Sequence, residues 1–225
     1  MQMTENSHPR SALSIRNLEC VRGERRLFSD LSVELASGGL LQVRGTNGSG
    51  KTSLLRMVCG LLAPVSGTIA WNGSPIGAAR EEFNARLAYV GHLNGIKDEL
   101  NPEENLRLSA TLAGLRSDAG AVRAALQGFG LRDLEHLPCK VFSQGQRRRL
   151  ALARLALSST RALWVLDEPF AALDAAGVVT MCSLLENHLA RGGMALLTTH
   201  QDVPISAQAR QSLTLGATGE AAGQP

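Results

Sequence analysis

The sequence holds 225 residues, 44% of them hydrophobic, which suits one large domain or two small ones and excludes a wholly disordered chain. Twenty-three Lys and Arg against 20 Asp and Glu leave a net charge of +3, too close to balance to mark a nucleic-acid or membrane-surface protein. Aromatics at 4% disfavour a base-stacking surface, and 23 glycines point to loops where backbone approaches a ligand closely. The chain opens in predicted strands: LSIRNL from Leu13, LSVEL from Leu31, and LLQVRG from Leu40 after a Ser37-Gly38-Gly39 turn. A glycine-punctuated loop after Gly45 leads into a helix over Thr52 to Leu62, then a short strand and turn in GTIAWNG and a buried strand LAYV at Leu87. Asn101 reads as an N-cap, with Pro102 at the first helical position and Glu103 and Glu104 in the first turn. A second helix is predicted from Asp118 to Phe129 and a third after the cap Ser143, running to the apolar strand ALWVL at Ala162. A helix over Ala175 to Ala190, a strand MALLT at Met194 and a strand SLTL at Ser212 complete the pattern, and the last ten residues read as a frayed tail. Strand and helix alternate at both ends around an all-helical block from Asn94 to Ser159, which implies an α/β core with a helical insertion.

Cys20, Cys59, Cys139 and Cys182 have no metal or haem-attachment spacing and read as reduced core thiols. The first residues, MQMTENSHPR, carry no secretory signal pattern, so a cytoplasmic chain is expected. Met57 to Ala79 is uncharged and long enough to span a bilayer, but Gly60, Pro64, Gly67, Asn72, Gly73 and Pro75 interrupt it. Membrane association is therefore expected through a partner.

Gly45-Thr46-Asn47-Gly48-Ser49-Gly50-Lys51-Thr52 matches GxxxxGK[ST] between an apolar strand and a helix, the context in which such a loop binds phosphate. Glycines let backbone N–H groups converge on phosphate oxygens, Lys51 reaches the β/γ-phosphates and the Thr52 hydroxyl binds Mg²⁺. The strand from Leu163 to Leu166 runs into Asp167-Glu168. Two carboxylates at the end of a buried strand are costly unless they meet cations or water. Beside this loop, Asp167 would hold the Mg²⁺ shell, and Glu168 would orient or deprotonate the attacking water.

Phe142-Ser143-Gln144-Gly145-Gln146 resembles the LSGGQ signature of ATP-binding-cassette (ABC) ATPases, Pro169 to Asp174 resembles their D-loop, and Leu197-Thr198-Thr199-His200 resembles their switch histidine. The resemblance implies a P-loop NTPase (RecA-like) ABC nucleotide-binding fold with an antiparallel β part and an inserted helical subdomain. It places Ser53 with the ATP-binding loop, makes Glu168, His200 and Lys51 catalytic, sets Asp174 at a dimer interface, and has Ser143, Gln144, Gly145 and Gln146 act in trans on ATP bound by a second copy. The implied organisation is a tail over 1–12, one ABC ATPase domain over 13–215 with core 13–93 and 160–215 and helical subdomain 94–159, and a flexible tail over 216–225.

Two departures from that pattern stand out. No aromatic precedes the loop where adenine should stack, so Arg22 either stacks its guanidinium on the base or the base is loosely held. The Gln-loop glutamine is replaced in Tyr89-Val90-Gly91-His92, where His92 serves as a Mg²⁺ or water contact, as a pH-sensitive coupling residue, or in no special role; coupling is the favoured reading. With the block GHxxGIKxxLxxxENL and FSQGQRRRxxLARL, these features resemble the ATP-binding subunits of cytochrome c biogenesis haem exporters. That resemblance implies two copies docked to integral membrane subunits on the cytoplasmic face of a bacterial inner membrane, with ATP hydrolysis linked to haem export or release of a haem-loaded chaperone. No residue pattern here binds haem: His8, His136 and His188 read as surface or capping residues. Arg147 to Arg149 read as a solvated or interface face, and no nucleic-acid partner is expected. The alternatives are an ABC transporter subunit with another cargo, or a soluble ABC ATPase acting on nucleic acid.

Overall fold

The computed structural model describes residues 12–216 and the backbone of 221–224. The chain opens with the hairpin β1 (Ala12–Arg22) and β2 (Arg25–Ala36), followed by β3 (Gly39–Gly45) and α1 (Lys51–Val58). Next come β4 (Ser66–Trp71), β5 (Ser74–Pro75), a short α2 (Arg80–Asn84) and β6 (Leu87–Val90). The helical block holds α3 (Pro102–Leu112), α4 (Ala119–Gly128) and α5 (Gln144–Leu157). The chain then returns to β7 (Leu163–Leu166), α6 (Ala175–Ala190), β8 (Met194–Thr198), β9 (Ala209–Leu215) and β10 (Ala221–Gln224).

Two sheets result. An antiparallel sheet has the order β2-β1-β4-β5, and a six-stranded sheet has the order β10-β9-β3-β8-β7-β6, parallel from β9 to β6. This is the expected α/β core with its antiparallel part and helical insertion. The expected flexible tail over 216–225 is corrected in part, because Ala221–Gln224 adds to the edge strand β9 in antiparallel register, supplying partners for its open backbone groups. The expected tail at 1–12 lies outside the described residues except for Ala12, which opens β1.

Successive side chains of a strand face opposite sides, and the central strands are buried on both. Leu41, Val43, Leu163, Val165, Met194 and Leu196 pack with α1 and the antiparallel sheet. Leu40, Trp164, Leu166, Ala195 and Leu197 pack with the helical block and α6. The helices start where their caps stand: Asn101 and Ser143 each form a reciprocal box with Glu104 and Gln146, and Asp118 caps α4. Helix α1 ends earlier than its apolar spacing suggests. Gly60 takes φ 67°, and Gly60 N and Leu61 N donate to Met57 O and Arg56 O, a closure that turns the chain out of the helix.

His188 is a core residue and not a surface one. Its ring stacks on Trp164 at a centroid distance of 3.9 Å and 5° between planes, and its Nε2 lies 3.1 Å from Met194 O. Burial pushes its pKa down to about 4, so the imidazole is neutral in the fold. Gly193 faces the ring so closely that an added Cβ would lie 2.2 Å from it, which leaves room for no other residue.

Candidate functional site

Strand β3 delivers Gly45 to the edge of the parallel sheet, and α1 starts at Lys51 from the left-handed cap Gly50, φ 104°. The loop between them needs its glycines. A Cβ on Gly45, φ 146°, would sit 2.5 Å from Leu215 O, and one on Gly50 would press on the Phe28 ring at 3.1 Å. Lys51 is nearly buried and donates from Nζ to Gly45 O at 2.9 Å and Thr46 O at 3.1 Å. The loop therefore curls around its own ammonium, with backbone N–H groups at a helix N-terminus, an arrangement suited to phosphate. Ser49 Oγ is buried in this loop with no hydrogen-bond partner, and Thr46, Asn47 and Gly48 are exposed. Ser53 is half-buried in the first turn of α1, directly after Thr52.

Asp167 is 3% exposed at the end of β7, and each carboxylate oxygen has a hydroxyl donor. Thr52 Oγ1 donates to Oδ2 at 2.9 Å and Thr198 Oγ1 donates to Oδ1 at 2.8 Å. Thr198 Oγ1 in turn accepts from Glu168 N at 2.8 Å. Glu168 has φ 49°, a left-handed conformation that costs an L-residue about 1–2 kcal/mol. This turn throws its carboxylate out of the sheet to His200, whose Nε2 lies 3.2 Å from Glu168 Oε1. Lys51, Thr52, Asp167, Glu168 and His200, distant in sequence, thus line one rim formed by the ends of β3, β7 and β8. A hydroxyl and a carboxylate in contact are the hard oxygen donors Mg²⁺ takes, so the Thr52–Asp167 pair fits that ion.

The other expected site residues are placed apart from this rim. Ser143 and Gln144 are exposed and Gly145 and Gln146 half-buried at the N-terminus of α5. Ser143 Oγ accepts from Gln146 N at 3.2 Å, and Ser143 N donates to Gln146 Oε1 at 2.8 Å. Within the chain the nearest neighbour above Gly145 is Ala172 O of the expected D-loop. Asp174 caps α6 by accepting from Gly177 N at 2.8 Å while remaining exposed. His92 is exposed and makes no hydrogen bond or ion pair among the described residues, so it does not join Thr52 and Asp167. Arg22 is exposed at the β1–β2 turn, paired in register with Arg25.

The ABC transporter family profile matches residues 28–171. The cytochrome c biogenesis ATP-binding export protein CcmA of Nitrosomonas europaea is 51% identical over 204 residues, covering 91% of this chain and 95% of that protein. This chain belongs to the ABC transporter family. The corresponding CcmA protein of Dechloromonas aromatica is 52% identical over 200 residues, covering 89% of this chain and 98% of that protein. A solved ATP-binding subunit of an ABC transporter superposes with a TM-score of 0.74 at 27% identity, over 84% of this chain and 79% of that one. The fold is shared too with an ABC transporter ATP-binding protein from Pyrococcus furiosus, TM-score 0.75 at 23% identity, over 89% of this chain and 96% of that one.

As an ABC ATPase the chain has one buried residue at this site that its pattern of charges conceals. Arg148, expected on a solvated face with Arg147 and Arg149, is 5% exposed. It donates to Gly91 O at 3.0 Å, Asn94 Oδ1 at 3.2 Å, Asp167 O at 2.6 Å and Glu168 O at 2.8 Å. Burial holds its pKa below the ordinary arginine range, against the opposing pull of Asp167 and Glu168. The signal in the sequence is helical phase: position 148 lies three residues before the buried Ala151, four before the buried Leu152 and seven before the buried Leu155, on one face of α5. Among the described residues, no helix of this ABC ATPase is long and apolar enough to cross a membrane.

Proposed function

We propose that this ABC ATPase drives a transporter of cytochrome c biogenesis by binding and hydrolysing ATP with Mg²⁺ at the rim that joins Lys51 to His200. The observation that carries the reading is the Glu168–His200 contact, 3.2 Å, at the end of the hydroxyl-linked series Thr52, Asp167, Thr198 and Glu168. The backbone of Gly45 to Ser53 cradles the phosphates, and Lys51 exchanges its carbonyl partners for phosphate oxygens, a trade that a flexible ammonium makes readily. Thr52 and Asp167 hold Mg²⁺, which when bound neutralises charge on the phosphates. Glu168 takes a proton from the attacking water as its oxygen bonds to the γ-phosphorus, and the bond to the ADP oxygen breaks. His200 orients the Glu168 carboxylate and meets the γ-phosphate.

The chain supplies half of each active site. Ser143 and Gly145, with Gln144 and Gln146, stand at an exposed helix N-terminus suited to an anion presented by another molecule. A second copy fits this role, with Asp174 and the D-loop at the seam. In the domain of 13–215, His92 and the segment to Leu100 carry the motion to integral membrane subunits, and Arg22 stacks on the base or leaves it loosely held. Likeness over about nine tenths of the chain to CcmA export proteins supports a place on the cytoplasmic face of a bacterial inner membrane, with haem or a haem-loaded chaperone as cargo.

The test is complementation. In a strain lacking the gene, the wild-type chain restores covalently haem-stained c-type cytochromes and the Glu168→Gln chain does not; equal restoration by both would remove hydrolysis from the account. Unchanged ATP turnover of His92→Gln, with and without the membrane subunits, would remove His92 from the coupling path.

A further inference from the structure

We propose that Arg148 is a positioning residue that transmits the arrangement of segment 91–94 to the backbone of Glu168. This rests on the assignment of Glu168 as the base. One guanidinium joins three parts of the chain: helix α5, whose first turn carries Ser143 and Gly145; the segment after β6, through Gly91 O and Asn94 Oδ1; and the end of β7, through Asp167 O and Glu168 O.

Its bonding differs from that of a residue held for stability. A buried cation without a carboxylate in contact costs several kcal/mol, and an apolar side chain of similar volume usually fills such a place more favourably. Arg148 nonetheless faces carbonyl and amide oxygens, has its Nε buried with no partner, and lies near a second, half-buried cation, Arg154. What the arrangement provides is geometry. A planar fork that meets four acceptors fixes their relative positions, which a single ammonium cannot do.

The fixed group that matters is Glu168. Its left-handed φ of 49° persists only if its surroundings hold it. Its backbone N–H donates to Thr198, and its C=O accepts from Arg148 and from Ala171 N. A shift of Gly91 or Asn94 pulls on the same guanidinium and so turns the Glu168 peptide, moving the carboxylate relative to His200. Arg154 Nη2, six residues further along α5, donates to Asn94 O at 3.3 Å, so two arginines tie segment 91–94 to the helix.

The experiment compares Arg148→Lys, Asn94→Ala and the double variant in the full chain assembled with its membrane subunits, reading kcat and KM for ATP alongside the melting temperature. Arg148→Lys keeps the charge and loses the fork. The expected result is a kcat reduced at least about tenfold with KM within about twofold, the signature of a misplaced catalytic group rather than weakened binding. Asn94→Ala should lower kcat by about two- to fivefold at unchanged melting temperature, and the double variant should be no worse than Arg148→Lys alone. A kcat within twofold of wild type for Arg148→Lys, a KM that rises as kcat falls, or multiplicative losses in the double variant would overturn the proposal. If Arg148→Lys fails to fold, Asn94→Ala decides, since wild-type kcat there also overturns it. Normal turnover by Glu168→Gln would instead overturn the base assignment, whatever the Arg148 variants do.

Discussion

The Thr198 hydroxyl donates to Asp167 Oδ1 at 2.8 Å, and the same oxygen accepts from the backbone N–H of Glu168. A side chain of β8 therefore sets both the carboxylate suited to metal and the turn that presents Glu168, the proposed base. Thr198 is fully buried, so replacing the hydroxyl by a methyl group leaves a buried acceptor and a buried donor short of a partner.

Thr198→Val should lower stability by about 1–3 kcal/mol and reduce kcat by about tenfold or more, because both Asp167 and Glu168 lose an anchor. Melting curves and steady-state ATPase assays read the two effects. Wild-type turnover in this variant would show that the hydroxyl bridge does not position the base.

The neutral core imidazole makes stability depend on pH. With a folded pKa of about 4 and an unfolded value of 6.5, His188 binds more protons in the unfolded chain between those limits. Its contribution is present in full above pH 6.5 and is lost as pH falls towards 4, by on the order of 3 kcal/mol. His188→Phe keeps a flat ring against Trp164 and removes the titration, so its melting temperature should fall less between pH 7 and pH 4.5. Parallel curves for the two proteins would contradict this.

Much of this architecture can be read along the chain, because the relevant signals are local. The caps Asn101 and Ser143 stand one residue before their helices, and the glycine loop between β3 and α1 is legible as a contiguous motif. What spacing cannot convey is the partner of a residue folded inward. Arg148 sits in a run of three arginines that reads as solvent-facing, and His188 has a polar side chain whose burial depends on Gly193 and Trp164. Strand β10 is illegible for another reason: AAGQ has little strand propensity and pairs only because β9 offers an edge.

Asn105 fastens the segment that we assign to coupling. Its Oδ1 accepts from Lys97 N at 2.8 Å, and its Nδ2 donates to Lys97 O, Leu100 O and Asn101 O. Asn105→Leu should free the 97–101 loop at a cost of about 1–3 kcal/mol, leave ATP affinity unchanged and lower transport-coupled turnover in the assembled complex. Loss of nucleotide affinity in step with turnover would place Asn105 outside the coupling path.

In the proposed function, two copies share each nucleotide between Lys51 to His200 of one and Ser143 to Gln146 of the other. Light scattering during size-exclusion chromatography of Glu168→Gln, with and without ATP and Mg²⁺, tests it most directly. The expected result is a monomer that becomes a dimer holding two ATP, and reversion to monomer when Ser143→Arg is added. A Glu168→Gln chain that binds ATP yet stays monomeric, or that hydrolyses it at the normal rate, would contradict the account.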